Sequence, residues 1–305
     1  MIRGEPVRST ESTRPRDVHD DRGLSSSVGC AIWGILNVTP DSFSDGGLYD
    51  TTERAIARGR ALVDEGADVV DVGGESSRPA GTTYGTGFAR VPEDDEIRRV
   101  VPVIEHLVGS LGARVSVDTV KPEVARRALS AGAHIVNDVS CGRSRELLEV
   151  VARAEAEVVL MHTRGQGEVA PPNTTYGDVV AEVTRELLEA AERAVDAGVA
   201  RARVWLDPGL GFAKTAEQSA LLLAHVDRLV ATGYPILVGP SRKSFLGALA
   251  PLPDGRPPGP AEREGGTAAA VVAAVWAGAR AVRVHDVVSM RQAVRVAEAL
   301  QVRAR

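Results

Sequence analysis

The feature that most constrains the fold of this chain is a regular alternation of short β-branched runs with longer segments of helical periodicity. Eight runs rich in Val, Ile and Leu predict strands, and eight segments with apolar residues at three- and four-residue spacing predict helices. The predicted strands are Ala31–Val38, Val69–Gly73, Arg114–Thr119, His134–Val139, Val158–His162, Val204–Asp207, Ile236–Gly239 and Ala281–His285. The predicted helices are about Thr52–Glu65, Asp94–Val108, Pro122–Ala131, Ser144–Ala154, Val179–Ala197, Ala216–Thr232, Glu264–Ala277 and Ser289–Leu300.

A short phrase recurs where a predicted helix meets the next predicted strand. Gly66, Gly132, Gly198 and Gly278 each stand next to alanine or valine directly after a helical segment. Glycine in a left-handed conformation is a common helix terminator. Repeated strand–helix units joined in this way predict a single (β/α)8 TIM barrel. The alternative is a doubly wound sheet, which is less favoured because no Gly-x-Gly-x-x-Gly motif follows the first predicted strand.

The composition of the N-terminal segment predicts the domain boundary, and the net charge limits the classes of partner that we expect. Residues 1–28 are polar and rich in Arg and Ser, which predicts a disordered tail before a barrel domain at 29–305. A formal net charge of −5 gives no reason to expect a nucleic-acid partner, and no apolar stretch reaches transmembrane length. Cys30 and Cys141 lack metal-ligand spacing, so we expect a reducing, cytoplasmic location.

Lysine is scarce in this chain. Only three of the 36 cationic residues are lysine, namely Lys121, Lys214 and Lys243, and each follows a predicted strand. In a chain that otherwise uses arginine, a lysine indicates a need for the compact ammonium with its three donors. These three positions are therefore candidates for a site at the carboxyl ends of the strands.

Polar side chains cluster at the same ends. In a (β/α)8 barrel, the loops after the strands carry the chemistry. A single carboxylate there is often a helix N-cap, but so many polar groups at one mouth predict a binding site. They are Asn37, Asp71, Glu75, Asp118, Asn137, Asp138, Met161, His162, Asp207, Lys243, Arg283, His285 and Asp286.

Several of these residues belong to longer phrases, which resemble in order the signature segments of the dihydropteroate synthase family. The resemblance spans roughly residues 30–300. It implies a pterin-binding barrel that joins 6-hydroxymethyl-7,8-dihydropterin pyrophosphate to 4-aminobenzoate and releases pyrophosphate. The phrases are Asn37–Gly47, Asp71–Pro79, Ser116–Thr119, Asn137–Val139, Asp207–Lys214, Ser241–Lys243 and Arg283–His285.

The polar edge of a pterin carries an amino group, a ring N–H and a carbonyl. It requires carboxylate and amide acceptors together with a cationic donor. Asp118, Asn137, Asp207 and Lys243 supply this set. The resemblance implies that Asp207 binds the aminopyrimidine edge, that Asn137 and Asp118 flank the ring, and that Lys243 donates to the carbonyl or a ring nitrogen. We expect Met161 to form an apolar floor beneath the ring.

The leaving pyrophosphate requires positive charge, which Arg283 and His285 can provide from one strand. The resemblance implies that Asn37 helps to hold a Mg²⁺ ion, which we expect to arrive mainly with the substrate. It also implies a dissociative displacement in which Asp45 favours the cation that forms at the exocyclic methylene.

The resemblance implies that 4-aminobenzoate lies between the loops that follow the first two strands. We expect its carboxylate to face Ser241 or the adjoining helix N-terminus. The second loop is longer than usual at 81–90 and has Ser at position 77 where the family usually has Thr. We expect this loop to alter access for sulfonamides, which mimic 4-aminobenzoate. The other residues of this subsite are Phe43, Ser77, Arg78, Pro79 and Phe212.

Two other functions use a related barrel. One is a methyltetrahydrofolate-binding methyltransferase domain, which the Ser241–Lys243 and Arg283–His285 phrases disfavour because they suit a pyrophosphate leaving group. The other is a pterin-binding paralogue without activity. We expect a homodimer, as is common in the family, and we expect replacement by Arg to be costly only at Lys243 among the three lysines.

Overall fold

The computed structural model describes residues 29–39, 48–75, 91–165 and 175–303, without the side chains of 48–51 and 303. The predicted tail at 1–28 lies outside these residues. The same is true of most of the long loops predicted after the first two strands.

Eight parallel strands form the centre of the fold. They pair in the order β6-β5-β4-β3-β2-β1-β8-β7. A single parallel bridge between Leu206 and Ile236 joins β6 to the residue before β7 and completes the barrel. The predicted (β/α)8 barrel is therefore confirmed. The strands are β1 Ala31–Asn37, β2 Val69–Gly73, β3 Val115–Asp118, β4 Ile135–Asp138, β5 Glu157–Met161, β6 Val204–Asp207, β7 Leu237–Val238 and β8 Ala281–Val284.

Helices connect the strands and cover the barrel. The helix predicted at Ala216–Thr232 is two helices, because His225 leaves helical geometry with φ −118° and ψ 30°. The short helix that begins at Ser244, directly after Lys243, was not predicted. The helices are α1 Leu48–Asp64, α2 Glu93–Leu111, α3 Pro122–Ser130, α4 Arg145–Arg153, α5 Val179–Asp196, α6 Ala216–Ala224, α7 Val226–Val230, α8 Ser244–Leu249, α9 Glu264–Trp276 and α10 Val287–Arg303. None of those searched in the described ranges has the length and apolar character needed to cross a membrane.

The glycines predicted to end helices do so in the left-handed conformation. Their φ angles are +97° at Gly66, +102° at Gly132, +100° at Gly198 and +94° at Gly278. Each turns the chain from a helix into the start of the next strand, which fixes the lower rim of the barrel.

Apolar side chains fill the lower half of the barrel interior. Trp33 on β1 and Trp205 on β6 approach with ring centroids 5.8 Å apart. The indole N–H of Trp205 donates to Glu157 Oε2 at 2.7 Å. This packed layer leaves the upper interior for polar residues. It consists of Trp33, Val69, Ile135, Val159, Trp205, Leu237 and Ala281.

Gly132→Ala is expected to destabilise the protein by roughly 1–3 kcal/mol, because a Cβ would be strained at positive φ. That Cβ would also lie 2.9 Å from Val108 Cγ1. Urea unfolding measures the loss. The control is Gly109→Ala within α2, where a Cβ meets nothing within 4 Å. It is expected to be neutral or stabilising by up to about 1 kcal/mol. Equal effects of the two changes would contradict the assignment of Gly132 as a helix terminator.

Candidate active site

The upper half of the barrel interior is built around Arg283 of β8. Its guanidinium forms ion pairs with two carboxylates, through Nε to Asp71 Oδ2 at 2.5 Å and through Nη2 to Asp118 Oδ2 at 2.9 Å. Burial lowers the pKa of Arg283, but the two aspartates raise it by more, so the pKa is raised overall. Asp71, to which no specific role was predicted, therefore holds Arg283 from β2, on the other side of β1.

Asp71 also fixes the amide of Asn137. Asn137 Nδ2 donates to Asp71 Oδ2 at 3.3 Å. Within the described residues, the buried Oδ1 atom of Asn137 has no hydrogen-bond partner. An unpaired acceptor of this kind, with its donor side already engaged, suits an N–H group of a ligand.

Asn37 lies on the same side of the barrel. A Cβ on Gly73, the β2 residue between them in register, would lie 3.8 Å from Asn37 Oδ1 and 3.5 Å from Asp118 Cβ. The absence of a side chain at Gly73 therefore leaves space between the first and third strands.

Asp207 and Lys243 form the opposite side. A Cβ on Gly239 would lie 3.9 Å from Asp207 Oδ2 and 4.0 Å from Lys243 Nζ. Lys243 Nζ donates to the backbone carbonyl of Leu210 and lies 4.6 Å from the ring centroid of Phe212. The carboxylate, the ammonium and an aromatic face thus meet in one place. Met161, which is buried, is the register partner of Asp207.

Burial moves the pKa values of these groups toward neutrality. Desolvation raises the pKa of Asp118 to about 7, against the opposing effect of Arg283. Desolvation also raises the pKa of Asp207, against the effect of Lys243. It lowers the pKa of Lys243 to about 8, although Asp207 acts in the other direction. Such perturbed groups in one region of a protein are typical of an active site.

His285 and Ser241 form a second pair at the rim. Ser241 Oγ lies 2.9 Å from His285 Nδ1 and accepts from the His285 backbone N–H at 3.2 Å. Five other predicted site residues lie outside the described residues, namely Phe43, Asp45, Ser77, Arg78 and Pro79.

Comparison with known proteins agrees with this geometry. Residues 33–285 match the family model described as pterin binding enzyme. The chain is 43% identical over 270 residues to the dihydropteroate synthase of Synechocystis sp., covering 88% of this chain and 89% of that protein. The chain belongs to the dihydropteroate synthase family.

Solved structures of synthases support the same assignment. The Xanthomonas albilineans dihydropteroate synthase with 4-aminobenzoic acid has a TM-score of 0.80 and 46% identity, covering 90% of this chain and 94% of that chain. The Yersinia pestis dihydropteroate synthase with a sulfonamide drug complex has a TM-score of 0.81 and 38% identity, covering 92% and 98%.

Two lysines of this synthase besides Lys243 are also engaged. Lys121 Nζ forms ion pairs with Glu75 at 2.6 Å and Glu96 at 2.5 Å, and donates to the Val91 carbonyl at 2.8 Å. It therefore joins the end of the segment after β2 to the start of α2. Lys214 is almost fully buried next to His162, at the end of β5.

His162 is one of the strand-end polar residues that predict a binding site. Its side chain has no exposed surface, and its Nε2 lies 3.0 Å from Glu186 Oε2 on α5. Glu186 is 24 residues away in sequence, which explains why no local pattern revealed the pair. Burial lowers the pKa of His162 to about 4.

His162→Gln is expected to weaken the pH dependence of stability. Between pH 7 and pH 5, a histidine of ordinary pKa takes up a proton in the unfolded chain, while buried His162 does not. Its folded-state pKa is depressed, so its contribution to stability is present above about pH 6.5 and is lost as the pH falls through about 4. The variant should lose less stability over this window, by roughly 1–2 kcal/mol.

Urea unfolding at pH 5, 6 and 7 measures this difference. The raised pKa of Asp118, about 7, changes stability with the opposite sign over this pH range. The comparison is therefore between proteins and not between pH values of one protein. His225→Gln, at the exposed junction of α6 and α7, is the control and should follow the parent. Parallel pH profiles for parent and His162→Gln would rule out this role of His162.

Proposed function

We propose that this chain condenses 6-hydroxymethyl-7,8-dihydropterin pyrophosphate with 4-aminobenzoate to form 7,8-dihydropteroate and pyrophosphate, a transferase reaction of folate biosynthesis. The observation that carries the proposal is the meeting of Asp118, Asn137, Asp207 and Lys243 at one mouth of the barrel. Together they offer two carboxylates, one unpaired amide oxygen and one ammonium. This is the set of acceptors and donors that the polar edge of a pterin requires.

Binding of the pterin follows from these groups. Asp207 would accept from the aminopyrimidine edge, and Asn137 Oδ1 would accept from a neighbouring N–H group. Lys243 would donate to the carbonyl or a ring nitrogen, and Met161 would supply apolar contact with the ring. The low exposure of Asp207 and Asn137 strengthens these bonds, because little water competes for them.

Departure of pyrophosphate produces negative charge on the leaving group and positive charge on the methylene. Arg283 in the upper interior and His285 at the rim would stabilise the leaving group. Asp45 on the first loop is proposed to stabilise the cation. The attacking amine of 4-aminobenzoate is unprotonated at neutral pH, so the mechanism requires no strong base. The C–O bond to pyrophosphate breaks first. The amine nitrogen of 4-aminobenzoate then forms the new C–N bond to the methylene cation and loses a proton to solvent.

The residues present fit a magnesium ion that arrives with the substrate. Within the described ranges, no three His, Cys, Asp or Glu side chains are grouped to hold a metal. Asn37 offers one amide oxygen, which suits Mg²⁺ that keeps its waters and binds phosphate oxygens. When bound, Mg²⁺ would share the charge of the leaving group as a Lewis acid.

The second substrate is proposed to bind beside the pterin. Phe212 presents its ring near Lys243. The carboxylate of 4-aminobenzoate is proposed to face Ser241 or the start of α8. Ser241 already contacts His285, so the same hydroxyl would connect the two substrates. Phe43, Ser77, Arg78 and Pro79 are proposed to complete this subsite.

A homodimer is proposed to form through α9 and α10. After Glu264, α9 contains no charged residue, although one side of it is exposed. Its last residue, Trp276, is 53% exposed and donates from Nε1 to the carbonyl of Ala297 on α10. Val296 and Leu300 of α10 are also exposed. A contiguous apolar surface of this kind favours a protein partner. A cytoplasmic location is proposed because both cysteines are free thiols.

Lys243→Arg is expected to lower kcat/KM by about 100-fold, because a planar guanidinium does not fit where one ammonium contacts Leu210 and Phe212. Pyrophosphate release from the pterin pyrophosphate, Mg²⁺ and 4-aminobenzoate measures activity. Lys121→Arg is the control, since an arginine can still pair with Glu75 and Glu96, and should remain within about threefold of the parent. An inactive parent protein would overturn the synthase function itself, whereas a fully active Lys243→Arg would overturn only the role of Lys243.

Trp276→Glu is expected to convert the dimer to a monomer, because it introduces a charge into the proposed apolar interface. Sedimentation velocity measures the mass in solution. Glu146→Lys on α4, an exposed position on a helix that packs beside α3 and α5, is the control and should leave the mass unchanged. A parent protein that sediments as a monomer would contradict the proposed dimer.

A further inference from the structure

Lys214 has an environment that the proposed reaction does not use. Its side chain is 4% exposed, and four acceptors surround Nζ. They are His162 Nδ1 at 2.9 Å, the Phe212 carbonyl at 2.9 Å, the Gly209 carbonyl at 3.1 Å and the His162 carbonyl at 3.3 Å. An ammonium has three donors, so all of them can be used in this cage.

The imidazole of His162 can act only as an acceptor toward Lys214. Glu186 accepts at Nε2, so the ring proton lies on Nε2 and the lone pair lies on Nδ1. Glu186 is fixed in turn by Arg164, whose guanidinium stacks 3.8 Å from the ring centroid of Tyr176. Glu186 of α5 therefore holds the tautomer that receives the ammonium.

The same contacts continue back to the loop after β6. Tyr176 Oη donates to the carbonyl of Ala213 at 3.0 Å. Lys214, His162, Glu186, Arg164 and Tyr176 thus form a closed chain of contacts that begins and ends on this loop. The loop is consequently tied to β5 and α5 at several points.

The backbone of the loop requires such support. Positive φ angles occur at Gly209, Gly211 and Ala213, with values of +62°, +79° and +49°. A Cβ on Gly209 would lie 2.0 Å from the carbonyl oxygen of His162, so the two backbones are in direct contact. Three carbonyls of the loop, at 209, 210 and 212, are bound by the ammonium groups of Lys214 and Lys243.

Asp207 is the last residue of β6, directly before this loop, and the loop contains Phe212. We propose that Lys214 is a positioning residue of the synthase, whose buried ammonium fixes the loop at 208–213 so that Asp207 and Phe212 face Lys243. It touches neither the substrates nor the reacting atoms. The sequence expectation that only Lys243 would be intolerant of Arg is thereby changed, because a guanidinium has no room among four acceptors within 3.3 Å.

The proposal rests on the synthase activity and is tested by steady-state kinetics of Lys214→Met and Lys214→Arg. Both are expected to lose roughly 10- to 100-fold in kcat/KM at 25 °C, with increases in KM for both substrates, because a small displacement of binding groups is costly. The control is Arg291→Met. Arg291 holds the carbonyl of Gly66, another positive-φ turn, at the opposite end of the barrel. It should lose stability but keep its kinetic constants.

A chemical rescue separates positioning from general stability. Lys214→Ala, purified in n-propylammonium chloride, regains the missing part of the side chain. Removal of the amine by dialysis should abolish most of the activity while circular dichroism stays constant, and returning n-propylammonium but not tetramethylammonium should restore it. If Lys214→Met does not fold, Lys214→Ala with n-propylammonium still tests the proposal.

Either of two results with the Lys214 variants would overturn the proposal. One is a folded Lys214→Met with kcat/KM within about threefold of the parent. The other is a Lys214→Ala variant with the same activity before and after removal of n-propylammonium. Loss of activity in Arg291→Met as well would also count against it, since the effect would then follow stability and not the loop.

Discussion

The ion pairs of Arg283 with Asp71 and Asp118 are the interaction on which the upper half of the barrel depends. Three charges on three strands are withdrawn from water there, and each is tolerated only because the others are present. Asp71 also sets the direction of the Asn137 amide. Removal of Asp71 would leave the Arg283 guanidinium with one carboxylate partner, Asp118, instead of two. It would also leave the amide of Asn137 free to rotate. The polar layer therefore behaves as one unit above the apolar layer that contains Trp33 and Trp205.

Two ammonium groups organise the other side of the mouth. Lys243 and Lys214 bind carbonyls of the same loop, and each lies in a segment that connects a strand to the next helix. Burial, with the nearby charge of Lys243 as a second cause, lowers the pKa of Lys214 to about 7. The two ammonium groups repel each other, but they bind different carbonyls. Their combined effect is to fix a backbone that includes three residues at positive φ.

Much of this arrangement could be predicted from sequence. The β-branched runs placed all eight strands, and the glycine phrases marked where helices end, because both signals are local. The roles of Asp71 and Lys214 could not be derived in this way. Asp71 acts on residues of β4 and β8, and Lys214 acts on carbonyls whose directions depend on backbone angles. The break at His225 was missed because the apolar periodicity continues across it. The predicted roles of Phe43, Asp45, Ser77, Arg78 and Pro79 remain predictions, since these residues lie outside the described ranges.

The closure of the barrel has a consequence for ligand binding. Strands β6 and β7 are joined by one bridge, at Leu206 and Ile236, and β7 contains only two residues. Asp207 follows this bridge on one strand, and Lys243 follows β7 on the other. A pterin that bonds to both residues would span the weakest seam of the cylinder. Its binding free energy would then oppose separation of the two strands, so the substrate would act as a cross-link that the polypeptide itself largely lacks.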